Sequence, residues 1–161
     1  MQKVSIFTDG SCLHMAGVGY GPGGYGAIIR INNQDRELSA GYELTTNNRM
    51  ELMAVIEAIS ALDEPSKVII MTDSQYVRNG VQEWVRKWKT NNWKTSNKKP
   101  VKNQDLWRRL DELCEGKGHQ IIWQWIRGHA GHTENERCDQ LAKEAAGSSQ
   151  KIRDEGFEPA S

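Results

Sequence analysis

The sequence predicts an α/β domain built on a mixed five-stranded sheet with helices packed around it. Three observations lead there. The segments follow in the order three strands, a helix, a strand, helices, a strand and a helix, which implies a mixed sheet with helices on both faces. Apolar residues recur at two distinct periods, near two in some segments and near 3.6 in others. Val68-Ile69-Ile70-Met71 is a short continuous apolar run, read as a strand buried on both faces. With 161 residues, the chain fits one domain that buries roughly two-thirds of its surface on folding.

The first strand spans about residues 3–12, with Val4, Ile6 and Phe7 as its apolar positions. A glycine-rich loop follows. Residues 24–31 and 37–44 read as the next two strands, joined by a hairpin turn at Asn32-Asn33-Gln34-Asp35. From 48 to 62, Leu52, Val55, Ile56 and Ile59 fall at helical spacing, and Pro65 lies beyond the end. The fourth strand occupies 67–72, and helical pieces are expected over 75–88 and 104–115. Ile121, Trp123 and Trp125 alternate with Ile122, Gln124 and Ile126 in a fifth strand, 119–127. A last helix over 133–146 turns Cys138, Leu141, Ala142 and Ala145 inward. Residues 147–161 read as a loose tail.

Acidic and basic residues balance at 21 each, so net charge excludes no partner. Their distribution is uneven. From Trp84 to Gln104 the basic residues are Arg86, Lys87, Lys89, Lys94, Lys98, Lys99 and Lys102, with no acid among them. Trp84, Trp88 and Trp93 are interleaved with these charges. Cations beside aromatic faces suit a nucleic-acid backbone and its sugars; a solvated helix with inward tryptophans is the alternative. Three cysteines, Cys12, Cys114 and Cys138, have no CxxC spacing, which argues against a disulfide framework or a zinc site. The amino terminus enters a strand almost at once, and no apolar run approaches the ~20 residues of a membrane span. The expectation is a cytoplasmic protein.

Two strings share a design. Ile6-Phe7-Thr8-Asp9 and Ile70-Met71-Thr72-Asp73 each run from buried apolar residues to a Thr-Asp and then a turn. If the strands are neighbours, Asp9 and Asp73 converge at the carboxyl edge of the sheet, where ligands bind in open α/β folds. Two such carboxylates call for a cation between them or a proton on one. Hard oxygen donors favour Mg²⁺ or Mn²⁺. Each aspartate alone has a second reading, as a cap on the turn that follows. Gly19-x-Gly21-x-x-Gly24 matches a dinucleotide fingerprint, but Pro22 interrupts it and a strand follows, so it reads as a loop. Glu51 reads as the third residue of a helix capped by Asn48, and Thr133 with Glu136 reads as a capping box. That leaves Asp139 without a capping role. Gly128-His129-Ala130-Gly131-His132 places a histidine suited to proton transfer in a glycine-flexed loop.

Laid out together, these strings resemble type 1 ribonuclease H, in its bacterial form with a basic protrusion. The matching strings are Phe7-Thr8-Asp9-Gly10-Ser11-Cys12, Thr45 to Leu52, Thr72 to Val77, Trp93-Lys94-Thr95, Lys98 to Asn103, and Gly128 through Asp139. The resemblance implies a ribonuclease H-like sheet of three antiparallel strands plus two parallel ones. It implies a catalytic domain over 1–146, a protrusion over about 84–104 and a tail over 147–161. By it, Asp9, Glu51, Asp73 and Asp139 hold two Mg²⁺ ions, for which Mn²⁺ substitutes. His129 assists proton transfer or product release. The implied reaction cleaves the RNA strand of RNA/DNA hybrids internally, leaving 5′-phosphate and 3′-hydroxyl ends.

Asn47, Asn48, Gln75 and Cys12 match positions that contact the hybrid in its minor groove, where 2′-hydroxyls mark RNA. Thr46 and Asn103 match a pocket for a DNA phosphate. Tyr76, Trp84 and Trp88 match a DNA-strand channel, and Lys98 and Lys99 add charge for the hybrid. The implied state is a monomer that needs no protein partner and no membrane. Two departures stand out: residues 14–21 make the first loop about four residues longer than in bacterial relatives, and Leu44 stands where some relatives have arginine. A same-fold transferase or exonuclease and a non-catalytic hybrid-binding module are the rival readings.

Overall fold

The computed structural model describes residues 1–127 and 132–159. Five strands form one sheet: β1 (Gln2–Cys12), β2 (Gly21–Ile31), β3 (Gln34–Thr45), β4 (Ser66–Thr72) and β5 (Gln120–Trp125). Their spatial order is β3-β2-β1-β4-β5. β1, β2 and β3 are antiparallel neighbours, while β4 pairs in parallel with β1 and with β5. The expected sheet of three antiparallel and two parallel strands is therefore present. Asn32 and Asn33 join β2 to β3 with positive φ at both residues (52° and 63°). Asparagine tolerates that conformation, and the twist of a two-residue hairpin requires it.

Helix α1 (Asn47–Ser60) carries the main core, with Leu52, Val55 and Ile56 fully buried. It packs against β1, β2 and α4 (Gln104–Gly116). Between β4 and α4 lie α2 (Gln75–Asn79), a π-helical turn over Gly80–Trp84, and α3 (Val85–Thr90). The expected helical pieces over 75–88 are thus present, separated by a wider turn. Gly80 lies there against the ring of Trp107 and leaves no room for a Cβ. On the opposite face, α5 (Thr133–Ala146) lies over β1, β2 and β3. α5 reaches β4 only at its end, where Asn135 Nδ2 donates to Met71 O (3.4 Å), and Ile69 and Met71 are only half-buried while Val68 and Ile70 are fully so. The run is covered completely on one face rather than on both.

The loose tail expected over 147–161 is a correction. Ile152 pairs in parallel with Tyr42 on the outer strand, through Ile152 N–H to Gly41 O (2.9 Å) and Glu43 N–H to Ile152 O (2.8 Å). Asp154 is buried, and Phe157 meets Tyr20 with ring centroids 5.6 Å apart. The glycine loop is also ordered in part as a hairpin extension. Leu13 N–H reaches Pro22 O at 2.7 Å and Met15 N–H reaches Tyr20 O at 3.0 Å. Among the described residues no helix is long and apolar enough to cross a membrane.

Candidate active site

The two Thr-Asp strings come together through strand register. Phe7 of β1 lies opposite Met71 of β4; two residues further, the same register sets Asp9 opposite Asp73. Their shared ladder ends just before these residues, while β1 continues alongside β2 to Cys12. Glu51 arrives from α1. Gly10 makes this possible, since a Cβ there would stand 2.5 Å from the Glu51 backbone nitrogen. Any other residue would push α1 away from β1. Asp139 arrives from α5, which lies close on glycines of β2; a Cβ at Gly24 would stand 2.6 Å from Ala142 O. The Cys138 thiol donates to Phe7 O (3.3 Å) and fixes the turn that carries Asp139 beside β1.

The electrostatics of this group are unfavourable without a cation. Burial first, then the charge of Asp73, pushes the Asp9 carboxyl up to about 8, and Asp139 adds to the effect. The Gly10 N–H, 2.9 Å from Asp9 Oδ1, opposes it only in part. Burial, and secondarily Asp73, also raises Glu51, against a hydrogen bond with Ser74. With every carboxylate ionised, buried Asp9 Oδ2 meets no donor. A buried acceptor left open in an all-oxygen, anionic surround fits a hard divalent ion better than a soft one. The four side chains do not yet converge on one point: among the described residues no three His, Cys, Asp or Glu groups could hold a single ion. Two are turned elsewhere. Glu51 Oε1 accepts from Asn47 Nδ2 (2.7 Å) and Asp139 Oδ2 pairs with Lys143 Nζ (2.9 Å).

Both expected capping boxes are corrected. Thr46, rather than Asn48, caps α1, its hydroxyl accepting from Arg49 N–H at 3.2 Å. Glu51 therefore lies inside the helix, beyond the three residues that need a cap. His132 precedes α5 and makes no side-chain cap, so Thr133 and Glu136 form no box. Each helix starts one or two residues earlier than the sequence pattern suggests, so Thr46 caps α1 while α5 has no side-chain cap. His129 lies outside the described residues.

The other expected contact residues form a second group beside the first. Tyr76, Trp84, Trp88 and Trp93 make a continuous aromatic row, with successive centroids 5.6, 5.8 and 6.4 Å apart. Fully buried Trp107 backs that row. Its Nε1–H donates to Tyr76 Oη at 3.0 Å, and Asn103 Nδ2 donates to the same oxygen at 2.9 Å. Lys98 and Lys99 lie exposed on a tight turn where Lys98 N–H bonds Thr95 O and Thr95 N–H bonds Lys99 O. Gln75 is exposed and Asn48 half-buried. Cys12 turns its thiol back onto Thr45 O (3.4 Å) and Gly21 O (3.6 Å).

Residues without an assigned role in the sequence complete the site. Ser74 caps α2 and holds Glu51. Arg49, buried in α1, binds Asp154 through Nε and Nη2 (2.7 and 2.9 Å), Asp105 through Nη1 and Nη2 (2.9 and 2.8 Å), and Asn103 Oδ1 (3.3 Å). Thr45 Oγ1 also donates to Asp154 at 2.7 Å. Arg49 and Ser74 lie inside the strings that carry the resemblance, so a buried charge and a cap beside the four carboxylates were the available signals. Trp107 has only its helical spacing with Leu110 to mark it.

The chain is similar to known proteins. The RNase H family model matches residues 1–147. Ribonuclease H of Klebsiella pneumoniae is 56% identical over 161 residues, covering 100% of this chain and 99% of its own length. Ribonuclease H of Pseudoalteromonas atlantica is 53% identical over 158 residues, covering 98% and 99%. The solved structure of LC9-RNase H1, described as a type 1 RNase H with the type 2 active-site motif, superposes with a TM-score of 0.81 at 32% identity. That match covers 99% of this chain and 78% of the other. A family match over nearly the whole length and identities above one half leave one assignment: the chain belongs to the ribonuclease H family of nucleases.

Proposed function

We propose that the protein hydrolyses the RNA strand of RNA/DNA hybrids at internal positions, leaving 5′-phosphate and 3′-hydroxyl ends. The observation that carries this reading is Asp9, a carboxylate held near neutrality by burial and by its acidic neighbours. A fold keeps such a group at a sheet edge for a bound cation. Asp9, Glu51, Asp73 and Asp139 would hold two Mg²⁺ ions, with Mn²⁺ able to replace them. Divalent ions there would activate a water and neutralise charge on the leaving oxygen.

The remaining residues serve that centre. Asn47 and Ser74 orient Glu51. Cys12, Asn48 and Gln75 border the centre on the side where a minor groove would present its 2′-hydroxyls. Thr46 and Asn103 would receive a DNA phosphate, with Asn103 steadied by Tyr76 and Arg49. The Tyr76–Trp84–Trp88 row would guide the DNA strand, and Lys98 and Lys99 on the 84–104 protrusion would add long-range attraction. His129 would move protons, so His129→Ala should slow turnover yet leave it measurable; complete loss with unchanged metal binding would contradict this. The reading takes 1–146 as the catalytic domain of a cytoplasmic monomer.

Incubating labelled hybrid, RNA duplex and DNA duplex with Mg²⁺ tests the proposal. Hydrolysis of the hybrid's RNA strand alone is expected, with 5′-phosphate ends that serve as ligase donors and 3′-hydroxyl ends that serve as its acceptors. Equal cutting of the DNA duplex, or binding of hybrid without cutting, would overturn it.

A further inference from the structure

A cavity adjoins Asp73 on the side away from Asp9. It measures about 300 Å³, and its walls include Asp73, Ser74, Gln75, Arg78, Trp125 and Arg127. The sheet order explains its place. β1 brings Asp9 to one flank of Asp73, and β5 lies on the other. Thr72 and Trp125 are register partners, and Ile126 N–H still bonds Thr72 O at 3.0 Å beyond the strand end. By the same register Asp73 falls opposite Ile126, and Arg127 follows one residue further on, diagonal to Asp73 across a strand spacing of ~4.8 Å. Arg78 closes the cavity from α2.

Arg78 and Arg127 are two arginines without an ion pair to a described residue that meet at one cavity beside a candidate metal-holding acid. Arg30, Arg49, Arg109 and Arg137 each hold a carboxylate. Arg78 and Arg127 line one polar cavity together and form no ion pair with a described residue, although Asp73 shares the cavity. Two exposed guanidiniums with free N–H groups can fork onto the oxygens of one phosphate. A strand crossing from Asp9 past Asp73 reaches this cavity within about one strand spacing. That distance is of the order of the ~3.4 Å axial step per nucleotide. The neighbouring phosphate would otherwise meet the field of Asp73 uncompensated.

We propose that Arg78 and Arg127 form a subsite for the RNA-strand phosphate next to the scissile one, with Trp125 as its apolar wall. The inference rests on the hybrid-cleaving reading above. It adds a contact that fixes the RNA strand on the β5 side of the centre, opposite the aromatic row.

Binding of a short labelled hybrid to the Arg78→Ala/Arg127→Ala variant, followed by anisotropy in Mg²⁺-free buffer, tests it without any cutting. Affinity should fall roughly tenfold, the scale of one charge-assisted hydrogen-bonded pair. The slope of log affinity against log salt should flatten by about one unit, the signature of one phosphate no longer neutralised. Arg36→Ala, an exposed arginine on β3, should change neither. A hybrid with one neutral methylphosphonate linkage beside the cleavage position should bind the parent protein more weakly than the charged hybrid, and the double variant equally. Both arginines are exposed, and an unchanged unfolding midpoint confirms that the variant is folded. If the neutral linkage weakens both proteins alike, or Arg36→Ala flattens the slope as much, the subsite is wrong. If the parent binds hybrid with the expected pattern but never cuts it, the subsite stands and the proposed reaction falls.

Discussion

Helix α1 starts between two charge clusters, and they are opposites. Arg49 faces one and Glu51, two residues on, faces the other. Around Arg49 the charges are answered: Asp154 and Asp105 each take two guanidinium hydrogen bonds, and Asn103 takes another. Around Glu51 all four carboxyls are acidic, and Asp9 keeps a buried oxygen without a donor. A chain that can satisfy a buried cation so fully has the means to satisfy its carboxylates. That it leaves Asp9 an open oxygen beside like charges marks this group as a site awaiting a positive partner, while the Arg49 cluster marks a structural joint.

The sharpest break comes at Asp9. Asp9→Asn should cut hydrolysis of the hybrid roughly a thousandfold or more under saturating Mg²⁺, the scale of a lost electrostatic stabiliser. In metal-free buffer the same variant should be at least as stable as its parent, because a repulsion has gone. Single-turnover cleavage and urea unfolding give the two numbers, and near-normal hydrolysis would dissolve the contrast between the clusters.

Asp154→Ala strikes the other cluster and should do the reverse. Losing one partner of a buried pair leaves Arg49 with half its neutralisation, at a cost of about 3–5 kcal/mol. Replacing both, as Arg49→Met with Asp154→Leu, should cost clearly less. Denaturant midpoints decide; a cost for Asp154→Ala below that of the double variant would show that the pair does not act as a joint.

The pH dependence sharpens the comparison further. Asp9 ionises at its ordinary 3.8 when unfolded and near 8 when folded. Between those values the unfolded chain binds fewer protons, so metal-free stability should decline as pH rises from about 4 to about 8 and level off above. The affinity for Mg²⁺ should climb over the same window as the competing proton is lost. Asp9→Asn should remove this component of the slope in urea titrations run at several pH values.

The smallest expected effect lies outside both clusters. Replacing Lys98, Lys99 and Lys102 with alanine should raise KM and flatten its salt dependence by up to about three units, one for each phosphate left without its lysine. All three side chains are exposed, so stability should hardly change. An unaltered salt slope would remove the protrusion from the binding surface.

Much of the acidic cluster was legible in the sequence, and the basic joint was not. Asp9 and Asp73 announce themselves because β-strand register is local and repetitive: two similar strings on parallel neighbours must align. Glu51 and Asp139 carry no such sign. Helical acids are common, and only the resemblance to a family singled them out. The caps were misplaced by one or two residues because Thr46, Asn47 and Asn48 are all able to cap, and the direction in which β3 delivers the chain decides among them. Asp154 left no trace, since its partner lies 105 residues away and a polar stretch with several Ser and Glu residues looks solvated until its one buried member is known. Trp107 was hidden similarly: its ring answers Gly80 and Tyr76 across the fold, and no period within α4 records that.

The distance between Arg49 and Asp154 also matters while the protein is being made. The ribosome delivers the guanidinium early and its carboxylate 105 residues later, and domains tend to fold as synthesis proceeds. A nascent chain short of residue 154 can assemble its sheet around α1 yet must keep an under-neutralised cation at the heart of it. Products of interrupted translation would thus be loose at the joint that holds α1, α4 and β3 together, and proteases that sample open states would find them first. The same pairing that completes the fold gives the cell a means of telling a finished copy from an unfinished one.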